Sequence, residues 1–218
     1  EPFRNLDAAR ITARLIEVRR QIETACSVAG RNPEDVELLV AGKYVPLDEF
    51  PTLLEAGVHL IGENRAQDLL AKVERYGNNF DWDFIGTLQS RKVKQIAPHV
   101  RMIHSVASDS ALRELGKLNG HKPEFLLEIN IGAEASKSGF APELLTETLA
   151  SCPYEPAGLM ALPPHVADPE DSRTYFSQLR ELGERHGLAK LSIGTSADFT
   201  VAVEEGATTV RLGRTIFN

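Results

Sequence analysis

The sequence has few of the features that mark secreted or membrane proteins. It contains two cysteines in 218 residues, and Cys26 and Cys152 lie far apart, outside any Cys-x-x-Cys or Cys/His ligand spacing. We therefore expect two reduced thiols and no metal site. No segment has the ~18 consecutive apolar residues that a membrane span needs, and the amphipathic start of the chain lacks the apolar core of a secretory signal. These absences predict a cytoplasmic protein without a membrane partner.

Positive charge is also scarce. The chain has 24 lysines and arginines against 31 aspartates and glutamates, which gives a net charge of -7 and a pI near 5.4. An acidic chain lacks the basic face that contacts with nucleic-acid phosphates require. The compact basic run at residues 91–94 is typical of the solvated first turn of a helix. We expect no nucleic-acid partner.

What the sequence does contain is an alternation of short apolar runs with helical segments. An amphipathic helix is predicted first, for residues 6–29, and Gly30 ends it. Strands are then predicted at residues 36–41, 58–62, 82–86, 100–106, 124–131, 155–162, 190–194 and 208–212. Helices are predicted to follow the first seven strands, at residues 47–56, 65–76, 90–97, 108–118, 142–151, 169–186 and 197–205.

This alternation predicts a (β/α)8 TIM barrel, one domain over residues 1–218, with the helix within residues 1–30 packed on it. The helix after the eighth strand is expected to be absent or truncated. The N-terminal helix could cover the barrel at this point, where the eighth strand would meet the first. An open doubly wound sheet is the competing architecture. Its first turn would normally carry a GxGxxG fingerprint, which the segment GKYVPLDE after the first strand lacks.

The active site of a barrel lies at the carboxyl ends of its strands, and a phosphate site is frequently built by the loops after strands seven and eight. Ser196 and Gly213 follow those two strands and would offer a hydroxyl and backbone N–H groups to a phosphate. An ordinary helix cap is the alternative role of Ser196. Arg211 either points into the barrel, matched by an anion, a ligand or a carboxylate such as Glu128, or points outward to a surface helix.

Lys43 follows the first predicted strand. A lysine at the barrel mouth, near a phosphate site and shielded from bulk water, can have its pKa lowered enough to form a Schiff base. A phosphate site combined with a Schiff base indicates pyridoxal phosphate. A snorkelling surface lysine is the alternative. The position of Lys43 among eight aligned strand ends favours the functional role.

Several segments occur in order across nearly the whole chain: VAGK, GENRAQDL, WDFIGTLQSRKV, IHSV, GLMALPP, LSIGTSADF and VRLG. This set resembles the pyridoxal phosphate homeostasis proteins, which are single-domain relatives of the alanine racemase N-terminal barrel. The resemblance implies that the chain has the alanine racemase barrel fold. It also implies that the protein is a monomeric carrier of pyridoxal 5'-phosphate (PLP). It implies a role in vitamin B6 and amino-acid homeostasis, with apo PLP enzymes as recipients of the cofactor.

The resemblance also implies roles for single residues. Lys43 matches the Schiff-base lysine of the family. Arg211 resembles the arginine that faces the pyridine nitrogen in the racemases, and a guanidinium there keeps the nitrogen unprotonated and makes the ring a poorer electron sink.

The other matched residues form the phosphate cradle and the pocket wall. Ser196 matches the cradle by its hydroxyl, and Gly213 and Arg214 match it by their backbone N–H groups. Asn64 and Met160 match residues that line the cofactor pocket.

The chain departs from the family at three places. Thr87 stands where a histidine is usual, which puts any role of a third-strand imidazole in doubt. Gly42 stands where a serine or a similar residue usually precedes the lysine, and KYVP replaces the commoner KTKP. None of these changes touches the predicted anchor residues, so we expect cofactor binding to survive.

Two enzymatic alternatives remain open. A slow amino-acid racemase would need acid and base groups on both faces of the cofactor, and Tyr44 is the tyrosine that lies beside a strand end. The racemases of this fold bring their tyrosine from a second domain, for which we expect no room in this chain. A phosphosugar aldolase would use Lys43 directly on a carbonyl substrate. The loop at residues 165–171 is a predicted mobile lid.

Overall fold

Short β-branched and aliphatic runs form a closed parallel barrel of eight strands in the computed structural model, which describes residues 2–134 and 138–218. The strands are β1 (Glu37–Ala41), β2 (Leu60–Glu63), β3 (Asp81–Phe84), β4 (Met102–Val106), β5 (Glu124–Glu128), β6 (Gly158–Met160), β7 (Lys190–Ser192) and β8 (Thr209–Leu212). They follow one another around the barrel, and β1 closes it by pairing with β8, where Leu39 lies beside Arg211. The predicted (β/α)8 barrel is confirmed.

All eight strands are shorter than predicted, and the two that lose most, β5 and β6, do so for local reasons. Pro156 has no N–H to give to a neighbouring strand, so β6 begins only at Gly158. At the end of β5, the carbonyl of Glu128 accepts the N–H of Phe140 at 2.8 Å, and the chain leaves the sheet there.

The helices lie outside the barrel in the predicted order. They are α1 (Ala8–Ala29), α2 (Phe50–Glu55), α3 (Ala66–Tyr76), α4 (Val93–Ile96), α5 (Asp109–Gly116), α6 (Leu145–Ala150), α7 (Arg173–Arg185), α8 (Phe199–Glu204) and α9 (Arg214–Phe217). The helix predicted at residues 90–97 consists of α4 between two 3-10 turns, and Pro98 in the second turn removes an N–H that a continuing α-helix needs. The helix after β8 is the four-residue α9, a truncated form.

The N-terminal helix α1 covers the seam of the barrel. Its start is capped by the side chain of Asp7, and it ends at Gly30, whose φ of 66° is the left-handed conformation that glycine favours. Its buried face carries Ile11, Leu15 and Val18 among other residues. This face packs against α2, α8 and α9, which are the helices that flank the β1–β8 junction.

Two observations bear on the predicted class of protein. Both Cys26 and Cys152 are free thiols. Within residues 2–134 and 138–218, no helix combines the length and the apolar character that crossing a bilayer requires.

The packing of α1 generates a stability prediction. Ile11 is 2% exposed and faces the barrel, whereas Ile16 on the other side of α1 is 63% exposed. We expect Ile11→Ala to lower the free energy of unfolding by about 2–5 kcal/mol because it leaves a cavity. Ile16→Ala, the matched control, should change it by no more than about 0.5 kcal/mol. Urea unfolding measures both, and equal effects would mean that α1 does not dock as the structure has it.

Candidate functional site

A cavity of about 530 Å³ opens at the carboxyl ends of the strands. Six of the seven predicted site residues line it: Lys43, Asn64, Ser196, Arg211, Gly213 and Arg214. These residues come from the ends of β1, β2, β7 and β8, so barrel closure brings together parts of the chain that are distant in sequence. Met160 is placed elsewhere. It is 1% exposed and packs with Met102 and Leu126 inside the barrel.

The loop after β7 and the start of α9 form a cradle of polar groups. Ser196 Oγ accepts the backbone N–H groups of Gly213 and Thr215, at 3.4 and 3.2 Å. These N–H groups open α9 and have no partner within that helix. Ser196 is not the cap of the helix that follows it, because Asp198 is the N-cap residue of α8. A hydroxyl and convergent N–H groups are a set that binds anion oxygens.

The loop that carries Ser196 is held tightly. Gly194 has a φ of 91°, where side chains are strained, and a Cβ there would lie 2.6 Å from the Cβ of Ala202. Asp198 accepts the N–H of Thr195 at 2.7 Å and the hydroxyl of Ser172 at 3.1 Å. These contacts fix the cradle before any ligand arrives.

Arg211 points into the barrel. Its Nη1 donates to the carbonyl and the hydroxyl of Ser192, at 3.3 and 3.0 Å, and its Nη2 donates to the carbonyl of Ala161 at 3.0 Å. Glu128, one of the partners that the sequence allowed, does not pair with Arg211, which has no carboxylate partner among the residues described. Burial lowers the pKa of Arg211 to about 10, although Glu128 and Asp198 raise it in part. The guanidinium therefore stays charged at neutral pH, with N–H groups left over for an acceptor in the cavity.

Lys43 lies at the rim of the cavity. Its Nζ is 4.6 Å from the centre of the Tyr44 ring, a cation–π contact. The residue is exposed, so the expected shielding from bulk water is wrong for this structure. Its amine is open to a ligand that enters the mouth.

A buried ion pair lies beneath Lys43, and the sequence interpretation missed it. Lys72 Nζ donates to Glu63 Oε1 at 2.6 Å and to the carbonyl of Gly42 at 2.9 Å, and it faces the ring of Phe50. Burial raises the pKa of the Glu63 carboxyl, and Lys72 offsets part of this effect. The pair holds the backbone one residue before Lys43. Glu63 ends β2 whereas Lys72 lies on α3, so no helix or strand periodicity in the sequence signals the pair.

Asn64 has an unsatisfied polar atom. Its Oδ1 is buried and has no hydrogen-bond partner within the described residues. The loop after β3 packs closely against the backbone of Asn64, because a Cβ on Gly86 would lie 2.0 Å from the backbone carbonyl oxygen of Asn64. A buried acceptor without a donor favours a ligand or a water molecule at this position.

One residue and one loop that the sequence singled out are not among the residues that line this cavity. Thr87, which replaces the usual histidine, is exposed and lines a neighbouring groove with Arg65 and Arg91. The predicted lid at residues 165–171 ends in a 3-10 turn that Asp168 caps. Its closure over the mouth stays a prediction.

Comparison with known proteins identifies the class and then the family. The alanine racemase N-terminal domain family matches residues 47–218, in agreement with a (β/α)8 barrel that has its cavity at the strand ends. A pyridoxal phosphate homeostasis protein of Aquifex aeolicus is 39% identical over an alignment of 218 residues, which covers 94% of this chain and 96% of the relative. The chain belongs to the pyridoxal phosphate homeostasis protein family.

Two solved structures are similar to this chain. The crystal structure of an unknown protein from Bifidobacterium adolescentis has a TM-score of 0.86 and 30% identity, over 96% of this chain and 95% of that one. PipY of Synechococcus elongatus, solved with PLP bound, has a TM-score of 0.76 and 28% identity, over 95% of this chain and 100% of PipY.

The contact beneath Lys43 generates a prediction for Gly42. A Cβ at this position would lie 2.4 Å from Glu63 Oε1, which Lys72 holds in place. We expect Gly42→Ala to lower the free energy of unfolding by about 1–3 kcal/mol through overpacking. Gly42→Ser should recover about 1 kcal/mol of this loss, because its hydroxyl can donate to the unpaired Glu63 Oε2. Thermal and urea unfolding compare the two variants, and an alanine variant as stable as the wild type would contradict the tight contact.

Proposed function

We propose that the protein binds PLP at the barrel mouth and carries it for vitamin B6 and amino-acid homeostasis. One observation carries the proposal: a single cavity joins an accessible lysine amine, an anion cradle and a buried arginine, at Lys43, Ser196 and Arg211. The names of relatives support it, as does the PLP bound to PipY.

Each of these residues has a role that follows from its surroundings. PLP supplies an aldehyde, a phosphate and a pyridine nitrogen when it is bound. Lys43 would hold the aldehyde group through its amine, which is open at the rim of the cavity. Ser196 and the N–H groups of Gly213 and Arg214 would hold the phosphate. Arg211, which lines the cavity, would face the pyridine nitrogen and, as a group that only donates, would keep that nitrogen unprotonated.

Two more residues complete the proposed site. Asn64 belongs to it because its unpaired Oδ1 is buried beside the cavity that the residue lines. Met160 is assigned to it from the family resemblance alone. Its side chain lies among apolar neighbours inside the barrel.

The exposure of Lys43 supports a carrier rather than an enzyme. An amine at an open rim can exchange its bound cofactor, whereas efficient chemistry on the cofactor needs water excluded from the site. We extend the proposal to a monomer in the cytoplasm that delivers PLP to apo PLP enzymes.

A slow amino-acid racemase is the second candidate, because one observation favours it. The ring of Tyr44 lies in the cavity wall beside Lys43, so a phenol and an amine share the site. Exchange of the Cα proton of L- and D-alanine in deuterated water separates the two functions. Robust exchange by the wild type that Tyr44→Phe abolishes would overturn the carrier proposal.

The accessible amine predicts a coloured adduct on one lysine. Protein mixed with PLP should turn yellow, and borohydride should bleach the band and leave a pyridoxyl group on Lys43, as peptide mass spectrometry detects. Lys43→Met should remove both signals because it removes the nucleophile. Lys117→Met changes an exposed lysine of an ion pair far from the mouth and is the control.

The contrary outcomes are distinct. A pyridoxyl group spread over several surface lysines would mean non-specific reaction. A colourless protein that traps a sugar phosphate on Lys43 would favour the aldolase.

The cradle predicts weaker retention of PLP in Ser196→Ala. Removing one hydrogen bond to a charged phosphate costs about 1.5–3 kcal/mol, so the Kd for PLP should rise at least about tenfold. Ser177→Ala removes a hydroxyl from exposed α7 and serves as the control. Fluorescence titration measures both affinities, and an unchanged Kd would exclude Ser196 from the site.

A further inference from the structure

A chain of hydrogen-bonded side chains runs through the barrel interior, from the mouth cavity to the amino ends of the strands. Its members, in order, are Arg211, Ser192, His104, Asp83, Arg101 and Glu37. Ser192, His104 and Asp83 are fully buried. They stand on β7, β4 and β3, and none of them was a predicted site residue.

The contacts are short along the whole chain. Ser192 Oγ lies 3.0 Å from Arg211 Nη1 and 2.8 Å from His104 Nδ1. His104 Nε2 lies 2.9 Å from Asp83 Oδ2. Arg101 then holds both oxygens of Asp83, at 3.1 and 3.0 Å, and both oxygens of Glu37, at 2.5 and 2.9 Å.

The hydrogens along this chain have one consistent order. A guanidinium only donates, so Ser192 Oγ accepts from Arg211 and gives its own hydrogen to His104 Nδ1. The hydrogen of the neutral imidazole is then on Nε2, where it is donated to the Asp83 carboxylate. Burial lowers the pKa of His104, which keeps the ring neutral, although Asp83 opposes this effect. Burial raises the pKa of Asp83, but hydrogen bonds from His104 and Arg101 outweigh it and leave this pKa below its usual range.

This order matters for Arg211 because, within residues 2–134 and 138–218, no carboxylate pairs with the guanidinium. Because the Ser192 hydroxyl gives its hydrogen to His104 Nδ1, its lone pairs are left to face Arg211. His104 accepts that hydrogen only while its own hydrogen is on the side of Asp83. The Asp83 carboxylate, three hydrogen bonds away from Arg211, thus orients the hydroxyl that Arg211 meets.

We infer that Ser192, His104 and Asp83 are positioning residues, which hold the Arg211 guanidinium in the orientation that meets the pyridine nitrogen. The inference rests on the proposed function for that ligand. It deepens that function, because residues that do not touch the cofactor would then control the protonation of its pyridine nitrogen.

Two substitutions of His104 separate a positioning role from a packing role. An asparagine carbonyl reaches the place of Nδ1, so His104→Asn keeps an acceptor for Ser192. A glutamine amide reaches the place of Nε2, so His104→Gln keeps the donor to Asp83 and loses the acceptor. Ser192→Ala, a smaller change, removes the contact to Arg211 directly. His59→Gln alters an exposed histidine and is the control.

The readouts are the absorbance of the bound cofactor and its retention on dialysis. We expect His104→Gln and Ser192→Ala to shift the absorbance maximum and to raise the Kd for PLP about tenfold, whereas His104→Asn and His59→Gln resemble the wild type. A lower melting temperature in the three core variants with an unshifted spectrum would overturn the inference, because it would show a packing role alone.

Nitrogen-15 NMR of the cofactor-free protein provides a readout that does not depend on PLP. We expect the hydrogen of His104 on Nε2 in the wild type, and altered guanidinium resonances of Arg211 in Ser192→Ala. A hydrogen on Nδ1, or unchanged Arg211 resonances, would overturn the inference. A wild type that takes up no PLP would instead refute the proposed function, and the NMR result would still decide the order of the chain.

Discussion

One buried positive charge sets the requirements that the rest of the barrel meets. Arg211 is 7% exposed, and a guanidinium removed from water costs several kcal/mol unless other groups compensate. The compensation comes from two backbone carbonyls and from the hydroxyl of Ser192, which leads on to the carboxylate of Asp83. Closure of the sheet is what brings these partners within reach. An acceptor in the mouth cavity would complete the surroundings of the charge.

The two faces of the sheet carry different charged groups. Inside the barrel, Arg211 lines the mouth cavity and is held there by its hydrogen-bonded partners. Outside, the Glu63–Lys72 pair fixes the backbone at Gly42, where the absence of a side chain leaves space for the carboxylate. Lys43 therefore stands on a rigid base while its amine remains exposed. A lysine with a fixed backbone and an exposed amine suits capture and release of a ligand better than chemistry that needs a site closed to water.

Sequence pattern predicts the barrel well and the site only in part. All eight strands were found because their apolar runs are short, bounded and regularly spaced, although their predicted limits differ from the observed ones. Pro156 accounts for the late start of β6, and Pro98 for the 3-10 end of the helix predicted at residues 90–97. Alternation showed that Arg211 shares a face with Gly213, but no local signal says which face is the inside. The partnership of His104 with Ser192 joins residues on strands far apart in the chain. Such contacts exist only in the closed barrel, so a linear pattern does not contain them.

The pairing of β1 with β8 has a consequence for biosynthesis. During translation, β1 keeps one hydrogen-bonding edge without a partner until more than a hundred and fifty further residues have been made. Arg211 lies on the strand that finally covers this edge, so a partly synthesised chain has neither a sealed sheet nor its central cation. Partly synthesised chains therefore also lack the finished mouth cavity, whose wall includes Arg211 and Gly213.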